Sequence, residues 1–468
     1  MAPSRAAATT KKPFEYCEDS KPAWDPVAYL ADAELHERAA AFLAKDDFAS
    51  AIAVSFNLPP RDAYVYHAIV SVTLAQVQHV IGMGAANGLH TWYRHLSPPS
   101  SASPANDNNK KNDDAAAAES ETQQKQPPGT KALGKPAAPP PRPDIDTYLS
   151  IFSPTTVTPN VLKTFALNAK KNSLRVSIAA HLLEKRYLHP ALPNLQIPRL
   201  KKITSLPAPN PYLTFLEWAC RNLEWAGPSP ESEAVRSAHH VLPVLMHHFG
   251  CVCPSHEALA ILKEVAAGRD VLDVGSGNGY WSFMLRQYCC SSSSTTATAT
   301  SKKSKTSSSS APDQKEQRII PIDNAQSAWR ANWVSDTLVS DGVAYLQKHP
   351  ESKDAVLLLV YPIVGGGVAG GEEGGFTRNL LRAYRGDTLA VAGTQNHNGY
   401  TGFRDRSMDE FMAQDPALAA EWVKVAQVPL PSFPGKDEAL FVYQRGSRAP
   451  PKDDGDGGDS TKQAATSQ

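Results

Sequence analysis

The chain has 468 residues, enough for two or three domains, and its 47 basic residues equal its 47 acidic residues in number. This balance gives no global field that would attract nucleic acid or a membrane surface, so there is no strong signal for a nucleic-acid partner. The six cysteines form no disulfide pattern, and no apolar segment typical of a secretory signal follows the first basic residues. We therefore expect a cytoplasmic protein, with the nucleus as the alternative compartment.

Helical patterns fill the first hundred residues. Asp25 and Pro26 give a helix-start signal, an N-cap followed by proline at the first helical position, and apolar residues then hold one face over about residues 26–45. Similar patterns cover 46–56 and 60–96. The sequence predicts a set of packed helices here, without a catalytic constellation among them.

Two apolar stretches invite comparison with membrane spans. The first, residues 63–84, contains His67 and Gln76, whose polar side chains are costly in lipid. The second, residues 355–370, is interrupted by Pro362 and by consecutive glycines, as expected of a strand that leads into a loop. We predict a buried helix for the first stretch, and neither a transmembrane helix nor a membrane contact for the chain.

Helical patterns also fill the stretch that begins at residue 144. They include one over 159–188 and one over 229–249, which we expect to be kinked at Pro243 because proline removes a backbone donor. The last of these patterns ends at Gly268, directly before a strand signal. The helices are candidates for a lid over a site or for a contact with a protein partner.

Four segments are rich in small and polar residues and lack the apolar content that would offset chain entropy. They cover residues 1–22, 97–143, 290–316 and 446–468. We predict that all four are disordered, the second as a linker and the third as a low-complexity surface insertion. The ordered parts are then two helical regions, 23–96 and 144–249, and a domain over 250–445.

The stretch 271–280 combines a strand signal, a glycine turn and the start of a helix. Its sequence is VLDVGSGNGY, in which a short apolar run typical of a buried strand precedes three alternate glycines, and a helical pattern begins at Tyr280. Glycine lets a ligand approach the backbone closely, and the first amides of a helix are free to face that ligand. The alternative is a turn that only connects strand and helix.

Strand and helix patterns alternate after this turn, as is typical of a parallel α/β sheet. The expected strands cover residues 271–274, 318–322, 336–339, 354–362, 387–393, 423–428 and 439–444. Asp323 follows the second of them, 46 positions after Gly277, and about 19 positions remain when the insertion is left out. An acidic residue about 20 positions from such a turn reaches the ribose hydroxyls of a bound nucleotide, so Asp323 is a site candidate.

The position of the glycines separates two classes of nucleotide-binding fold. The dinucleotide fingerprint has its third glycine where this chain has Tyr280, and the bulk of that side chain argues against NAD or FAD. The run from Asp273 to Gly279 instead resembles the first motif of class I S-adenosylmethionine-dependent methyltransferases, and the resemblance extends over about residues 250–445. It implies a Rossmann-like doubly wound sheet of seven strands with an antiparallel last pair, here preceded by an all-helical N-terminal region. The implied cofactor is S-adenosyl-L-methionine, and the implied partner is an unidentified methyl acceptor.

The resemblance also implies which residues hold this cofactor. Asp273 would lie near the methionine amino group, Asp323 would hold the ribose hydroxyls, and Asp341 would contact the adenine, with Asp336 as its competitor. The glycine motif would line the cofactor with its backbone. Its residues are Gly275, Ser276, Gly277, Asn278 and Gly279. The alternatives are an ordinary strand-end residue for Asp323 and a simple helix N-cap for Asp341.

In the family, the fourth strand ends at the reaction centre, where this chain has Tyr361 followed by Pro362. The Asn/Asp-Pro-Pro-Tyr/Phe form associated with methylation of amide or base nitrogens is missing, which disfavours that substrate class. Tyr361 is the weak catalytic candidate that has a motif position, and a packed strand-end aromatic is the alternative for it. The polar residues 395–398 are further candidates, or only a loop.

No metal site is predicted. Histidines and cysteines occur between residues 239 and 256, but Cys251 and Cys253 are separated by one residue, fewer than in most structural zinc pairs. Two functions remain as alternatives to methyl transfer. One is a noncatalytic methyltransferase-like protein that serves as a cofactor-binding or interaction scaffold, and the other is an NAD-dependent oxidoreductase.

Overall fold

The computed structural model of the chain describes residues 24–58, 63–66, 70–84, 90–94, 135–170, 173–233, 235, 238–290, 317–325, 327, 329–362, 374–397, 403 and 406–451. The segments expected to be disordered lie wholly or largely outside these residues. None of the helices described has both the length and the apolar composition that a membrane span needs.

The first half of the described chain is mostly helical, and the second half alternates strands and helices. The helices are α1 (Pro26–Ala31), α2 (Ala33–Leu43), α3 (Phe48–Phe56), α4 (Leu74–Met83), α5 (Arg142–Ser150), α6 (Thr158–Leu167), α7 (Leu174–Lys185), α8 (Pro211–Asn222), α9 (Val241–Phe249), α10 (His256–Ala266), α11 (Tyr280–Cys290), α12 (Gly342–Lys348), α13 (Gly375–Ala383), α14 (Met408–Gln414) and α15 (Pro416–Glu421). The strands are β1 (Ala63–Tyr66), β2 (Val70–Thr73), β3 (Tyr187–Leu188), β4 (Val271–Val274), β5 (Ile319–Asp323), β6 (Leu338–Val339), β7 (Val356–Val360), β8 (Thr388–Thr394), β9 (Trp422–Pro429) and β10 (Glu438–Arg445).

Strands β3 to β10 form one mixed sheet of eight strands in the order β3-β9-β10-β8-β7-β4-β5-β6. The five strands from β8 to β6 in this order are parallel to one another, whereas β10 runs antiparallel to both β8 and β9. The predicted α/β class is therefore confirmed, and each of the seven predicted strands has a counterpart. The predicted count of seven is wrong, because β3 adds an eighth strand from the N-terminal half.

Strand β3 lies where the sequence predicted the end of a helix over 159–188. Tyr187 and Leu188 pair with β9, and the His189 N–H donates to the Val425 carbonyl at 2.9 Å. Helix α7 ends at Lys185, and Arg186 already has extended backbone, with φ at −75° and ψ at 126°. Pro190 then disfavours helical backbone at His189, so the chain stays extended beside β9. The partner strand is more than 200 positions away, and helical periodicity carries no information about it.

The all-helical N-terminal region is also a wrong prediction, because β1 and β2 form an antiparallel pair within 60–96. Their sequences, AYVY and VSVT, are rich in aromatic and β-branched residues, which favour strands. The helix expected over 26–45 is two helices, α1 and α2. Asp32 lies between them, and its side chain accepts a hydrogen bond from the Leu35 N–H at 2.9 Å as the N-cap of α2.

Pro243 does not kink a long helix as predicted. The helix α9 begins only at Val241, so Pro243 falls in its first turn, where the backbone N–H has no helical partner to lose. The residues between Ser229 and His240 form turns and irregular structure as far as they are described. Of the helix predicted over 229–249, only the part from Val241 forms.

The central strands of the eight-stranded sheet are buried on both faces. In β7, Val356 and Leu358 belong to one hydrophobic cluster and Leu357 and Leu359 to another, as the alternation of side chains along a strand requires. The first cluster also contains residues of the N-terminal helices, among them Phe56 of α3. The helical region and this face of the sheet thus share one core.

Trp333 joins the helical region to the glycine turn. Its ring is 1 % exposed, and its centroid lies 5.0 Å from that of Trp24 and 4.6 Å from that of Tyr280. The indole N–H donates to the His248 carbonyl at 2.7 Å, and the backbone N–H donates to the Asn278 carbonyl at 2.8 Å. The turn is therefore held by contacts that begin in the first helices of the chain.

Replacement of Trp333 by alanine should lower the free energy of unfolding by about 3–5 kcal/mol, because it leaves a cavity in this shared core. Urea denaturation measures this change. Leu167→Ala serves as the control, since Leu167 is 83 % exposed and its loss should change stability by no more than about 0.5 kcal/mol. Equal stability of the two variants would contradict the shared core.

Candidate ligand-binding cleft

A cleft of about 410 Å³ opens at the carboxyl ends of β4, β5 and β7. The order of the parallel strands reverses at β4, which lies between β5 and β7, and ligands bind open α/β sheets at such a point. The cleft brings together Tyr361 and all but one of the residues that the resemblance assigns to the cofactor. They are Asp273, Gly275, Ser276, Gly277, Asn278, Asp323, Asp341 and Tyr361.

Gly279 is the exception, and it is absent from the lining of the cleft. Its φ is +78°, and a Cβ there would lie 2.2 Å from Cγ2 of Val334, so glycine is required for packing against the chain. At Gly277, where φ is +57°, a Cβ would lie 2.9 Å from the ring of Trp329, which itself lines the cleft. Of these two glycines, Gly277 lies where it could contact a cofactor in the cleft, whereas Gly279 lies outside the lining.

Asp323 ties the glycine turn to the end of β5. Its Oδ2 accepts a hydrogen bond from the Gly277 N–H at 3.0 Å, and its Oδ1 accepts one from the Ala325 N–H at 2.7 Å. Each carboxylate oxygen can accept more than one hydrogen bond, so the side chain keeps capacity for a ligand hydroxyl. The spacing, counted without residues 290–316, predicted that Asp323 reaches the ribose of a bound nucleotide, and the structure shows that Asp323 lies beside Gly277.

Asp273 is a fully buried carboxyl at the end of β4. Its Oδ2 accepts a hydrogen bond from the Ser282 hydroxyl at 2.7 Å, whereas its Oδ1 has no hydrogen-bond partner among the described residues. Burial raises the pKa of Asp273 to about 7, and the nearby charge of Asp323 acts in the same direction. A cationic ligand group at Oδ1 would favour the ionised form.

Two further polar side-chain groups of the turn lack hydrogen-bond partners within the described residues. They are the Ser276 hydroxyl and the Nδ2 of Asn278, both of which can donate a hydrogen bond. Several backbone amides of the turn are already hydrogen-bonded, since the N–H groups of Gly275 and Ser276 both donate to the Ile322 carbonyl. The Ser276 hydroxyl and Asn278 Nδ2 are therefore polar groups of the turn that a ligand can contact.

The two acids that competed for the adenine contact differ in position. Asp341 lines the cleft and is also the N-cap of α12, where its Oδ1 accepts a hydrogen bond from the Ala344 N–H at 2.9 Å. Asp336 forms an ion pair with Arg286, with N–O distances of 2.8 and 2.9 Å, and is absent from the lining. Geometry therefore favours Asp341, and its capping role does not remove it from the cleft.

Tyr361, the residue directly after β7, has an unusual backbone conformation. Its φ is +53°, a left-handed value that bulky residues rarely adopt, and its N–H donates to the Ala392 carbonyl at 2.7 Å. The side chain is buried and lines the cleft. Strained backbone of this kind concentrates at functional sites, so the conformation supports a role for Tyr361 in the cleft.

The helical region supplies a wall of the cleft that the sequence did not reveal. Phe249, Gly250 and Cys251 line it, and the Tyr212 hydroxyl donates to the Gly250 carbonyl at 3.1 Å. Burial raises the pKa of the Cys251 thiol to about 12, so it is a neutral side chain at ordinary pH. No sequence motif identifies these residues as part of a site. Gly250, which follows α9, has φ at +88°, a backbone conformation that favours glycine.

The polar residues after β8 lie outside the cleft lining as far as they are described. Gln395 Nε2 donates to Asp437 Oδ1 at 2.8 Å, and His397 Nε2 lies 2.9 Å from Glu410 Oε2. Asn398 lies outside the described residues. Among the described residues, no three His, Cys, Asp or Glu side chains are grouped so that they could hold a metal ion.

Comparison with models of known protein families finds no match to this chain, and comparison with curated proteins finds none either. The function must therefore be inferred from the cleft and its motif.

Asp273→Asn should change how stability depends on pH. The folded-state pKa of about 7 lies above the unfolded value of about 4, so the unfolded chain loses this proton first and wild-type stability falls as pH rises between those values. The asparagine variant lacks this decline, and its stability relative to wild type should increase up to about pH 7 and then level off. Urea denaturation across this pH range measures the difference. Parallel stability curves would contradict the raised pKa.

Proposed function

We propose that the chain is an S-adenosyl-L-methionine-dependent methyltransferase with a Rossmann-like domain, acting on an acceptor to be identified. The observation that carries the proposal is the hydrogen bond from the Gly277 N–H to Asp323 Oδ2 at 3.0 Å. It joins the glycine turn to the acid expected to hold the ribose hydroxyls, at the point where the strand order reverses.

The strand order supports the Rossmann-like part of the proposal. Counted from β4 as the first strand of the domain, the parallel strands have the order 3-2-1-4-5, which agrees with the start of the doubly wound arrangement. The antiparallel strands β10 and β9 then follow, as the resemblance to the methyltransferase family implies. Strand β3 is an addition to this pattern at the sheet edge.

The unpartnered atoms of the turn fit the amino-acid end of the cofactor. That end carries an ammonium group and a carboxylate. Asp273 Oδ1 is a buried acceptor suited to the ammonium group, and the Ser276 hydroxyl and Asn278 Nδ2 are donors suited to the carboxylate. Asp323 and Asp341 would hold the ribose and the adenine. Unpaired buried polar atoms are rare in native proteins, so a zwitterionic ligand explains three of them together.

Bound S-adenosyl-L-methionine would supply an electrophilic methyl group, and the demands on the protein are then orientation and exclusion of water. The aromatic side chains of Phe249, Trp329 and Phe376 provide apolar walls for the cleft. Tyr361 lies at the end of β7, where the resemblance places the acceptor.

Dinucleotide binding is disfavoured by the position of Tyr280. Its hydroxyl donates to Asn210 Oδ1 at 2.6 Å, and its ring packs against Trp333 and Tyr212. This buried side chain takes the place at which the dinucleotide fingerprint needs glycine for close packing of helix and strand.

Isothermal calorimetry with S-adenosylhomocysteine tests the proposal. The wild-type protein should bind it, and Asp323→Ala should bind at least about tenfold more weakly because charge-assisted hydrogen bonds to the ribose are lost. Asp336→Ala is the matched control, since this exposed acid pairs with Arg286 outside the cleft lining, and its affinity should be unchanged.

Absence of binding to the wild-type protein would overturn the proposed function. Binding without methyl transfer to any component of a cell extract would favour the noncatalytic scaffold. Thermal melting of each variant confirms that a loss of affinity does not reflect unfolding.

A further inference from the structure

Residues 249–251, here called the wall segment, are the part of the helical half that lines the cleft beside the glycine turn. Within this segment, Gly250 lies against the side chain of Asn278. A Cβ at Gly250 would lie 3.1 Å from Asn278 Oδ1, closer than side chains normally pack. The position of the wall segment therefore limits where the Asn278 side chain can lie.

Tyr212 of α8 holds the wall segment in place. Its hydroxyl donates to the Gly250 carbonyl at 3.1 Å, and its ring stacks on that of Phe249 with the centroids 5.0 Å apart. Burial raises the pKa of Tyr212, so the hydroxyl keeps its proton and acts as the donor. Tyr212 is absent from the cleft lining, so its effect on a ligand is exerted through the residues that it holds.

The same helix is also bonded to Asn278 on its other side. Asn278 Oδ1 accepts a hydrogen bond from the Tyr280 N–H at 3.2 Å. The Tyr280 hydroxyl donates to Oδ1 of Asn210, the N-cap of α8, at 2.6 Å and accepts a hydrogen bond from the Tyr212 N–H at 3.3 Å. Helix α8 thus fixes Asn278 from two sides, through Tyr280 and through the wall segment.

Asn278 lies at the end of the cleft that we assign to the amino-acid part of the ligand. Asp273 in β4 belongs to the same end, whereas Asp323 ends β5 and Asp341 follows β6. These two acids are assigned to the ribose and the adenine, and β6 is separated from β4 by β5 in the sheet. A change in the wall segment should therefore affect the amino-acid part of a ligand more than its nucleoside part.

The Asn278 amide has one end for its own chain and one end for a ligand. Its Oδ1 accepts from the Tyr280 N–H and lies against Gly250, so Nδ2 is the donor left for the ligand carboxylate. Hydrogen bonds to a charged acceptor are strong but depend on direction, so a donor that is held in place binds more tightly than one that rotates. Loss of the bond between Tyr212 and Gly250 would release the wall segment and with it this side chain.

We propose that Tyr212 is a positioning residue for the amino-acid end of the ligand. Because it holds Gly250 against Asn278, the cleft favours S-adenosyl compounds that carry an α-amino acid over adenosine thioethers that lack one. The proposal rests on the proposed function and concerns the selectivity of the same cleft.

Isothermal calorimetry on the full chain tests this selectivity with two ligands, S-adenosylhomocysteine and 5′-methylthioadenosine, which lacks the amino-acid end. The wild-type protein should bind the first more tightly. Tyr212→Phe keeps the ring and removes the hydrogen bond to Gly250, so it should weaken binding of S-adenosylhomocysteine about tenfold and that of 5′-methylthioadenosine less than about twofold. Asp323→Ala should weaken both ligands, since both carry the ribose.

Tyr93→Phe is the matched control. Tyr93 is also a buried tyrosine whose hydroxyl donates to a glycine carbonyl, that of Gly227 at 2.9 Å, and it is absent from the cleft lining. Both affinities should be unchanged in this variant. The control thus separates a general effect of losing a buried hydroxyl from the loss of the bond to Gly250.

A double variant shows whether Tyr212 acts through Asn278. Asn278→Ala should also weaken S-adenosylhomocysteine selectively, and the further change Tyr212→Phe should weaken it no more, because the side chain that Tyr212 positions is already gone. Gly250→Ala, whose Cβ would press on Asn278 Oδ1, has the same expected selective loss and decides the question if Tyr212→Phe does not fold.

Three results would overturn the positioning role and leave the proposed function in place, provided that the wild-type protein binds S-adenosylhomocysteine. They are equal weakening of both ligands by Tyr212→Phe, no weakening of either, and additive losses in the double variant. Absence of S-adenosylhomocysteine binding by the wild-type protein would overturn the proposed function, and the positioning role with it.

Discussion

The hydrogen bond between the Gly277 N–H and Asp323 Oδ2 is the constraint on which the cleft depends. It joins two adjacent parallel strands beyond their last pair in the ladder, Val274 with Ile322, and so fixes the turn over the end of β5. Because the same carboxylate also holds the Ala325 N–H, its orientation is set from two sides. The polar atoms of the turn are thereby arranged around one concave surface before any ligand binds, which is the preorganisation that tight binding requires.

The N-terminal helices are part of this arrangement. Trp333 packs against the N-terminal region and donates its N–H to the Asn278 carbonyl in the turn. Gly250 and Cys251 line the cleft on the helical side. A cleft between two structural units is a common place for small-molecule sites. The described residues of the helical half thus contribute one wall of the cleft and a core shared with the sheet.

The sequence was sufficient for features that depend on local chemistry. The glycine turn, the strand before it and the position of Asp323 follow from short-range patterns and one spacing, once the 290–316 segment is left out. The N-cap at Asp341 is equally local. These are the signals that steric limits and backbone hydrogen bonding impose on a few neighbouring residues.

Features that depend on residues distant in the chain could not be predicted from the sequence. Strand β3 pairs with the edge of β9, which is distant in the sequence. In β1 and β2 the apolar pattern looked helical, but the β-branched and aromatic residues favour strands. Gly279 looked like a ligand contact, but it is needed for packing against Val334.

A crystal structure of the protein with S-adenosylhomocysteine is the most direct test of the central claim that the turn and Asp323 form a cofactor site. The ribose hydroxyls should lie within hydrogen-bond distance of Asp323, and the amino group of the ligand should lie at Asp273 Oδ1. A ligand bound elsewhere, or one that leaves the Asp273 oxygen unpaired, would contradict it.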